Sequence, residues 1–214
     1  MNDAFSAVAV SLSVSIASTA LCAVVGIPAG CALAMIPLRG KGIVLGMLNT
    51  LLSLPTVVVG LLVFLLICRG SIFGDLHLLF TPWAMILGQF VLALPIMTVF
   101  SHSALNNLDK AVAETARMLG AGHFDTAITI IREAKFGIMA AVAATFGRLV
   151  GEVGIAMMLG GNIAGYTRTM TTTIALETSK GELSVGLKLG CILLMIALIV
   201  NIGLRHLQGR AAHE

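Results

Sequence analysis

The chain has 214 residues, of which 58% are hydrophobic and only 11% charged, and its mean hydropathy of +1.03 lies far outside the usage of soluble globular proteins. That composition excludes a water-soluble domain and reads as an integral membrane protein. The formal net charge of +3 is small enough to follow from loop topology, so it calls for no nucleic-acid partner.

Apolar runs without Asp, Glu, Lys or Arg cover Ala4 to Leu38, Gly42 to Cys68 and Leu78 to Leu108, each beyond the ~20 residues a helix needs to cross the hydrocarbon core. Two further apolar runs extend from about Phe136 to Gly161, interrupted by Arg148 and Glu152, and from about Leu189 to Leu204. The expected fold class is all-α, a polytopic membrane protein of about five transmembrane helices, with one transmembrane domain over residues 1–214 and connections too short for a separate soluble domain.

No basic segment precedes the first run and Asp3 is its only early charge, so a retained span is expected in preference to a cleaved signal peptide. This span carries Ser6, Ser11, Ser13, Ser15, Ser18 and Thr19, then Gly26, Pro28 and Gly30. Hydroxyls that bond backbone carbonyls, together with small residues that admit a close neighbour, predict a packed interior helix. Cys22, Cys31, Cys68 and Cys191 fall in or at the ends of apolar runs without C-x-x-C spacing, which implies small hydrophobes and neither a disulfide nor a metal site. The methionines, Met157 and Met158 among them, read as packing.

The second run contains Leu54-Pro55-Thr56 and the third contains Leu94-Pro95. A proline inside a span frees a carbonyl and kinks the axis, which suits either a purely structural bend or a transport path, with Pro55 and Thr56 the candidates for such a path or gate.

Residues of about 106–135, between the third and fourth runs, form the longest strongly charged connection. Asp109 is placed to cap a helix with Val112, Ala116 and Leu119 on one face, and Gly120 to stop it in the left-handed region. A second short helix follows, with Asp125 in its first turn and Phe124, Ile128 and Ile131 on one face. Because Glu114, Asp125 and Glu133 share the segment with basic residues, a protein partner fits it better than a lipid surface does.

Arg148 and Glu152 are the opposite-charge pair within an apolar run, at i and i+4. Facing lipid would be costly for both, so they are expected toward the bundle interior or near the cytoplasmic end of the span, as a packing pair or as a path or gate. His102, near one end of its span, is poorly placed for a proton relay.

Orientation follows from Lys and Arg. With the N-terminus outside and the C-terminus cytoplasmic, Arg39, Lys41, Lys110, Arg117, Arg132, Lys135, Arg205 and Arg210 lie inside, against Arg69, Arg168, Lys180 and Lys188 outside, a bias of roughly two to one.

The segment Glu114-Thr115-Ala116-Arg117-Met118-Leu119-Gly120 resembles the signature cytoplasmic loop of ABC-importer permeases, in which an E-A-A pattern is followed after three residues by G. Thr115 replaces the middle alanine, and Ile130-Ile131-Arg132-Glu133 lacks the common I-x-L-P ending. The runs Leu54 to Gly60, Gly147-Arg148 with Glu152-Val153-Gly154, and Gly160 to Thr172 resemble tungstate-type permeases of the molybdate/tungstate importer group, so that the likeness spans nearly the whole chain. The resemblance implies an ABC-importer permease fold of the molybdate/methionine type, in the cell membrane of a bacterium or archaeon. It also implies a second copy of the chain, two cytoplasmic ATPase subunits that bind ATP and magnesium, and an extracytoplasmic oxyanion-binding protein. Glu114, Thr115, Ala116, Gly120, Ala121 and Gly122 would then couple the ATPase.

Tungstate is the substrate the resemblance implies, with molybdate or another oxyanion as the alternative. Thr167, Arg168, Thr169 and Thr171 would supply a fixed charge and hydroxyl donors to the anion or to its binding protein on the outer side. The competing reading has those hydroxyls capping a short helix, with Arg168 paired to Glu177. No G-x-x-x-x-G-K-[ST] loop, H-E-x-x-H or G-x-S-x-G motif occurs, so the chain is expected not to be an enzyme and to need no cofactor or metal of its own. A channel or secondary transporter, the rival class, would move substrate without nucleotide.

Overall fold

In a computed structural model the described residues, 2–36 and 39–210, are helical throughout apart from short connections. Leu38, expected to end the first span, lies outside them, and the side chains of Lys110, Arg205 and Arg210 are likewise not described. The helices are α1 (Asn2–Met35), α2 (Lys41–Leu52), α3 (Thr56–Ile67), α4 (Pro82–Asn106), α5 (Lys110–Met118), α6 (His123–Glu133), α7 (Lys135–Val150), α8 (Gly154–Gly160), α9 (Met170–Ser179) and α10 (Leu183–Arg210), with a 3-10 turn at Gly74–Leu76. Three of them, α1, α4 and α10, are each long and apolar enough to cross a membrane alone, and the bent pairs α2–α3 and α7–α8 bring the number of spans to as many as five.

The α1–α4 seam is the spine of the bundle. Ala7, Ser11, Ser15, Ser18, Cys22, Gly26 and Gly30 recur at near-helical spacing along the buried face of α1. Any side chain at Gly30 would meet the Thr98 carbonyl at 2.6 Å and Ser101 Cβ at 2.7 Å, and one at Gly26 would meet Met97 Cγ at 2.8 Å. Small residues therefore set the separation of the two helices. Hydroxyls along the seam turn to their own backbone: Ser18 donates to the Val14 carbonyl (2.8 Å) and Thr19 to that of Ser15 (2.7 Å). Ser11 instead accepts from the Met170 N–H at 2.8 Å, and on α4 Gln89 Oε1, Ser101 Oγ and His102 Nε2 are buried with no hydrogen-bond partner among the described residues. The apolar core around this spine joins α1, α3, α4, α7 and α8 through Cys22, Val63, Leu92, Met97, Leu149 and Ile155.

Two expected single spans are broken. Pro55 does more than kink its run: Ser53 N–H bonds the Thr50 carbonyl and Leu54 N–H that of Leu51, closing α2 with tight turns, and α3 restarts at Thr56 at an angle of 99°. The fourth run breaks at Gly151–Val153 and bends by 61° into α8. Pro28 and Pro95, by contrast, remain inside continuous helices. The last span starts at Leu183, earlier than its apolar core, and its first turn meets α9 at Gly186, where a side chain would meet Thr178 Oγ1 at 2.8 Å.

Candidate functional site

The two breaks abut one another. Gly154, at the start of α8, sits so close to the start of α3 that a side chain there would meet Thr56 Oγ1 at 2.9 Å and Glu152 Oε1 at 3.3 Å. Pro55, Thr56, Arg148 and Glu152, far apart in sequence, therefore belong to one junction.

Glu152 is not on the helical face with Arg148 that i, i+4 spacing implied: α7 ends at Val150, and the turn through Gly151 swings Glu152 into the gap between α7 and α8. There its carboxylate is fully used. Oε2 accepts from Arg148 Nη1 at 2.8 Å, and Oε1 accepts from the Ile155 N–H at 3.2 Å, capping α8. The Glu152 carbonyl in turn accepts from Thr171 Oγ1 at 2.8 Å, tying α9 to the break.

The two partners differ in exposure. Glu152's side chain is 2% exposed and Arg148's is 41% exposed, with one guanidinium nitrogen engaged among the described residues. Arg148 lies about 20 Å along α7 from Lys135 at 1.5 Å per residue, a distance that falls within the ~30 Å thickness of a membrane core. A cation at that depth does not face hydrocarbon without a large cost, so this face of α7, on which Ala140, Ala144 and Gly151 are also exposed, adjoins water or another polypeptide. Beside it, α3 begins at Thr56 with no side-chain cap, leaving first-turn N–H groups and a partial positive charge at the same junction.

The threonine-rich segment is built inward. Thr167, Thr169 and Thr171 are all buried. Thr169 and Thr172 form a capping box at the start of α9, Thr169 and Thr171 share a 2.9 Å hydrogen bond, and Thr167 donates to the Gly160 carbonyl while accepting from the Ile163 N–H. Arg168 does not pair with Glu177, which bonds Lys180 at 2.8 Å instead. Arg168 is held by Asn162, through Nε to the side-chain oxygen at 3.2 Å and Nη2 to the carbonyl at 3.3 Å. Asn162 and Gly154 are site residues that sequence reasoning missed. The Gly151-Glu152 stop-and-cap pair and the Thr169-x-x-Thr172 spacing were the signals that could have exposed the α7–α8 break and the α9 start.

At the other end of the bundle, Asp109 accepts from the Ala111 N–H at 2.9 Å to start α5, and Gly120, at φ 86°, ends it. Ala116 is buried, and Ala121 N–H bonds its carbonyl at 3.0 Å, while Glu114 and Thr115 are exposed and Gly122 precedes α6. The expected apolar face of the pair is not turned inward along its whole length. Leu119 and Phe124 are 83% and 77% exposed, and Ile131 is also exposed, because the Gly120 bend carries them outward with Met118. Val112, Ile128 and Ile130 make the inward contacts.

The comparisons with known proteins agree with this architecture. Over 198 residues the chain is 41% identical to the probable anion ABC transporter permease protein of Haloferax volcanii, covering 90% of this chain and 85% of that one. It is 38% identical to the tungstate uptake system permease protein TupB of Peptoclostridium acidaminophilum, covering 92% and 87%. In structure it superposes on a chain of the MetNI methionine ABC transporter, solved in inward facing conformations, with a TM-score of 0.76 at 19% identity over 94% of this chain and 92% of that chain, which shows a common fold. Residues 26–213 match the family described as the binding-protein-dependent transport system inner membrane component. The chain thus belongs to that family, as a multi-pass, non-catalytic permease subunit of a binding-protein-dependent ABC importer.

Proposed function

We propose that two copies of this chain form the path of a tungstate importer, with the junction at Arg148 and Glu152 lining or gating it. The carrying observation is the half-exposed guanidinium held in place by a buried carboxylate deep in the bundle, beside the uncapped start of α3. A tetrahedral dianion is attracted by such a site yet bound weakly by one charge per copy, which transit requires. The relatives named for anion and tungstate transport support the oxyanion class.

In this reading the α5–α6 loop faces the cytoplasm, with the N-terminus outside and the C-terminus inside. ATP and magnesium are bound by two partner ATPase subunits. Glu114, Thr115, Ala116, Gly120, Ala121 and Gly122 shape the bend that presents Met118, Leu119 and Phe124 to the ATPase. ATPase closure carries α5, the two copies rock, and the path opens toward the docked oxyanion-binding protein. On that outer side Arg168, fixed by Asn162, supplies the charge that meets the anion or its binding protein, and Thr167, Thr169 and Thr171 hold its segment in shape.

Proteoliposomes containing the chain, its ATPase and its binding protein test this reading. ATP-dependent tungstate uptake is expected, with Gly120→Pro or Glu114→Lys releasing the ATPase while the chain still inserts. Uptake without ATP would make it a channel or secondary transporter. Uptake of molybdate in preference to tungstate would move the substrate within the same mechanism.

A further inference from the structure

The connection from α3 to α4 holds a pocket that shares no residue with the Arg148 junction. It encloses about 490 Å³ and is lined by Ile67, Arg69, Gly74, His77, Leu79 and Phe80. Two of the six are basic, none is acidic, and neither Arg69 nor His77 has a side-chain hydrogen bond or ion pair among the described residues. Asp75, between them in sequence, does not line the pocket and pairs with neither.

The backbone around the pocket is strained where it matters for shape. His77 and Phe80 adopt φ of 47° and 63°, a region that bulky residues avoid. Phe80 is nonetheless held there: its N–H donates to the Leu159 carbonyl at 2.9 Å, and its ring lies where a side chain at Gly161 would meet it at 2.7 Å. Asn162, the next residue and the third with positive φ among the described non-glycine residues, holds Arg168. Strain, an open concavity, an unpaired guanidinium and an unpaired imidazole thus coincide at one end of the molecule.

We propose that this pocket binds a tetrahedral oxyanion through Arg69 and His77. An arginine fork and an imidazole N–H can together donate to the oxygens of such an anion, and Ile67, Leu79 and Phe80 complete the lining beside the exposed Arg69 and His77. Two sources share this chemistry. One is the free substrate anion on its way from the binding protein. The other is a phospholipid headgroup phosphate, for which the exposed Ile72, Leu76 and Trp83 nearby would supply an interfacial setting. The site's placement on the outer side rests on the orientation proposed above, but its affinity for an anion does not.

The test uses the full chain in maltoside micelles, which contain no phosphate. Tungstate bound at equilibrium is counted by elemental mass spectrometry, and phospholipid retained through purification is counted in parallel. Saturable tungstate binding weakened ~10-fold or more by combined Arg69→Gln and His77→Gln, and unchanged by Lys188→Gln, supports the free-anion source. Absence of tungstate binding, with a retained phospholipid that the double variant loses, supports the headgroup source. If neither tungstate nor phospholipid depends on Arg69 and His77, in double variants that melt at the wild-type temperature, the proposal is overturned. Arg69→Lys, which keeps the charge but not the fork, should give an intermediate loss. Failure of tungsten uptake in cells would strike the transport reading alone, because binding in micelles is measured without it.

Discussion

The α1–α4 seam and the junction at Glu152 both place polar groups inside a membrane-spanning bundle, and they use them in opposite ways. Along the seam, Ser18 and Thr19 fold back on carbonyls one turn earlier, so their polarity is largely consumed locally and their small size is what counts. At the junction, one buried glutamate joins α7 and α8 through its carboxylate and α9 through its backbone carbonyl, and still leaves its cationic partner half exposed. Polar residues in a span are therefore not equivalent: those that complete their own helix serve packing, and those that bridge a broken backbone position a charge.

Substitutions that attack this contrast should rank accordingly. Gly30→Leu ought to be the most damaging, because the new side chain meets backbone atoms of α4 that have no flexible end to yield. A loss of about 3 kcal/mol or more is expected, read as collapse of monodisperse yield and melting temperature in detergent. Glu152→Gln comes next: it weakens the Arg148 pair and the cap on Ile155 together, and with Arg148 partly solvated a cost of about 1–3 kcal/mol follows, together with loss of transport. Arg148→Gln sharpens the comparison: it leaves the buried Glu152 carboxylate without its charge partner, a cost of about 1–3 kcal/mol like that of Glu152→Gln, and at equal membrane abundance it should lower tungstate transport by ~10-fold, the effect of about 1.4 kcal/mol. Ser18→Ala and Thr19→Ala should be nearly silent, within about 0.6 kcal/mol in stability and with transport intact. Equal damage from Thr19→Ala and Glu152→Gln would erase the distinction between the two regions.

Much of this was legible in the sequence where periodicity and end signals act locally. Hydropathy alone delimits α1 and most of α4, and Asp109 and Gly120 mark the ends of α5 because capping and positive φ are short-range requirements. The small stripe of α1 likewise announced a close neighbour, although not that α4 was the neighbour. Hydropathy does not register a bend, so the runs containing Pro55 and Gly151 read as single spans. Pro95 and Pro55 look alike in one dimension, and only the tertiary setting, in which α3 packs Gly60 against Met158 of α8, separates a proline that is tolerated from one that ends a helix. The threonines at 167–171 present hydroxyls that suit an anion equally well or a helix cap, and burial directs them to the cap. Leu119 and Phe124 are on an apolar face by spacing, but the bend at Gly120 turns that face outward.

The most direct test of the central claim is the tungsten and molybdenum content of cells by mass spectrometry, with both oxyanions supplied at trace levels, in a strain lacking the chain and in the same strain carrying wild type or Arg148→Gln. The account predicts selective loss of tungsten, restored by wild type and not by Arg148→Gln at equal membrane abundance. Unchanged tungsten in the deletion strain, or full restoration by Arg148→Gln, would contradict it.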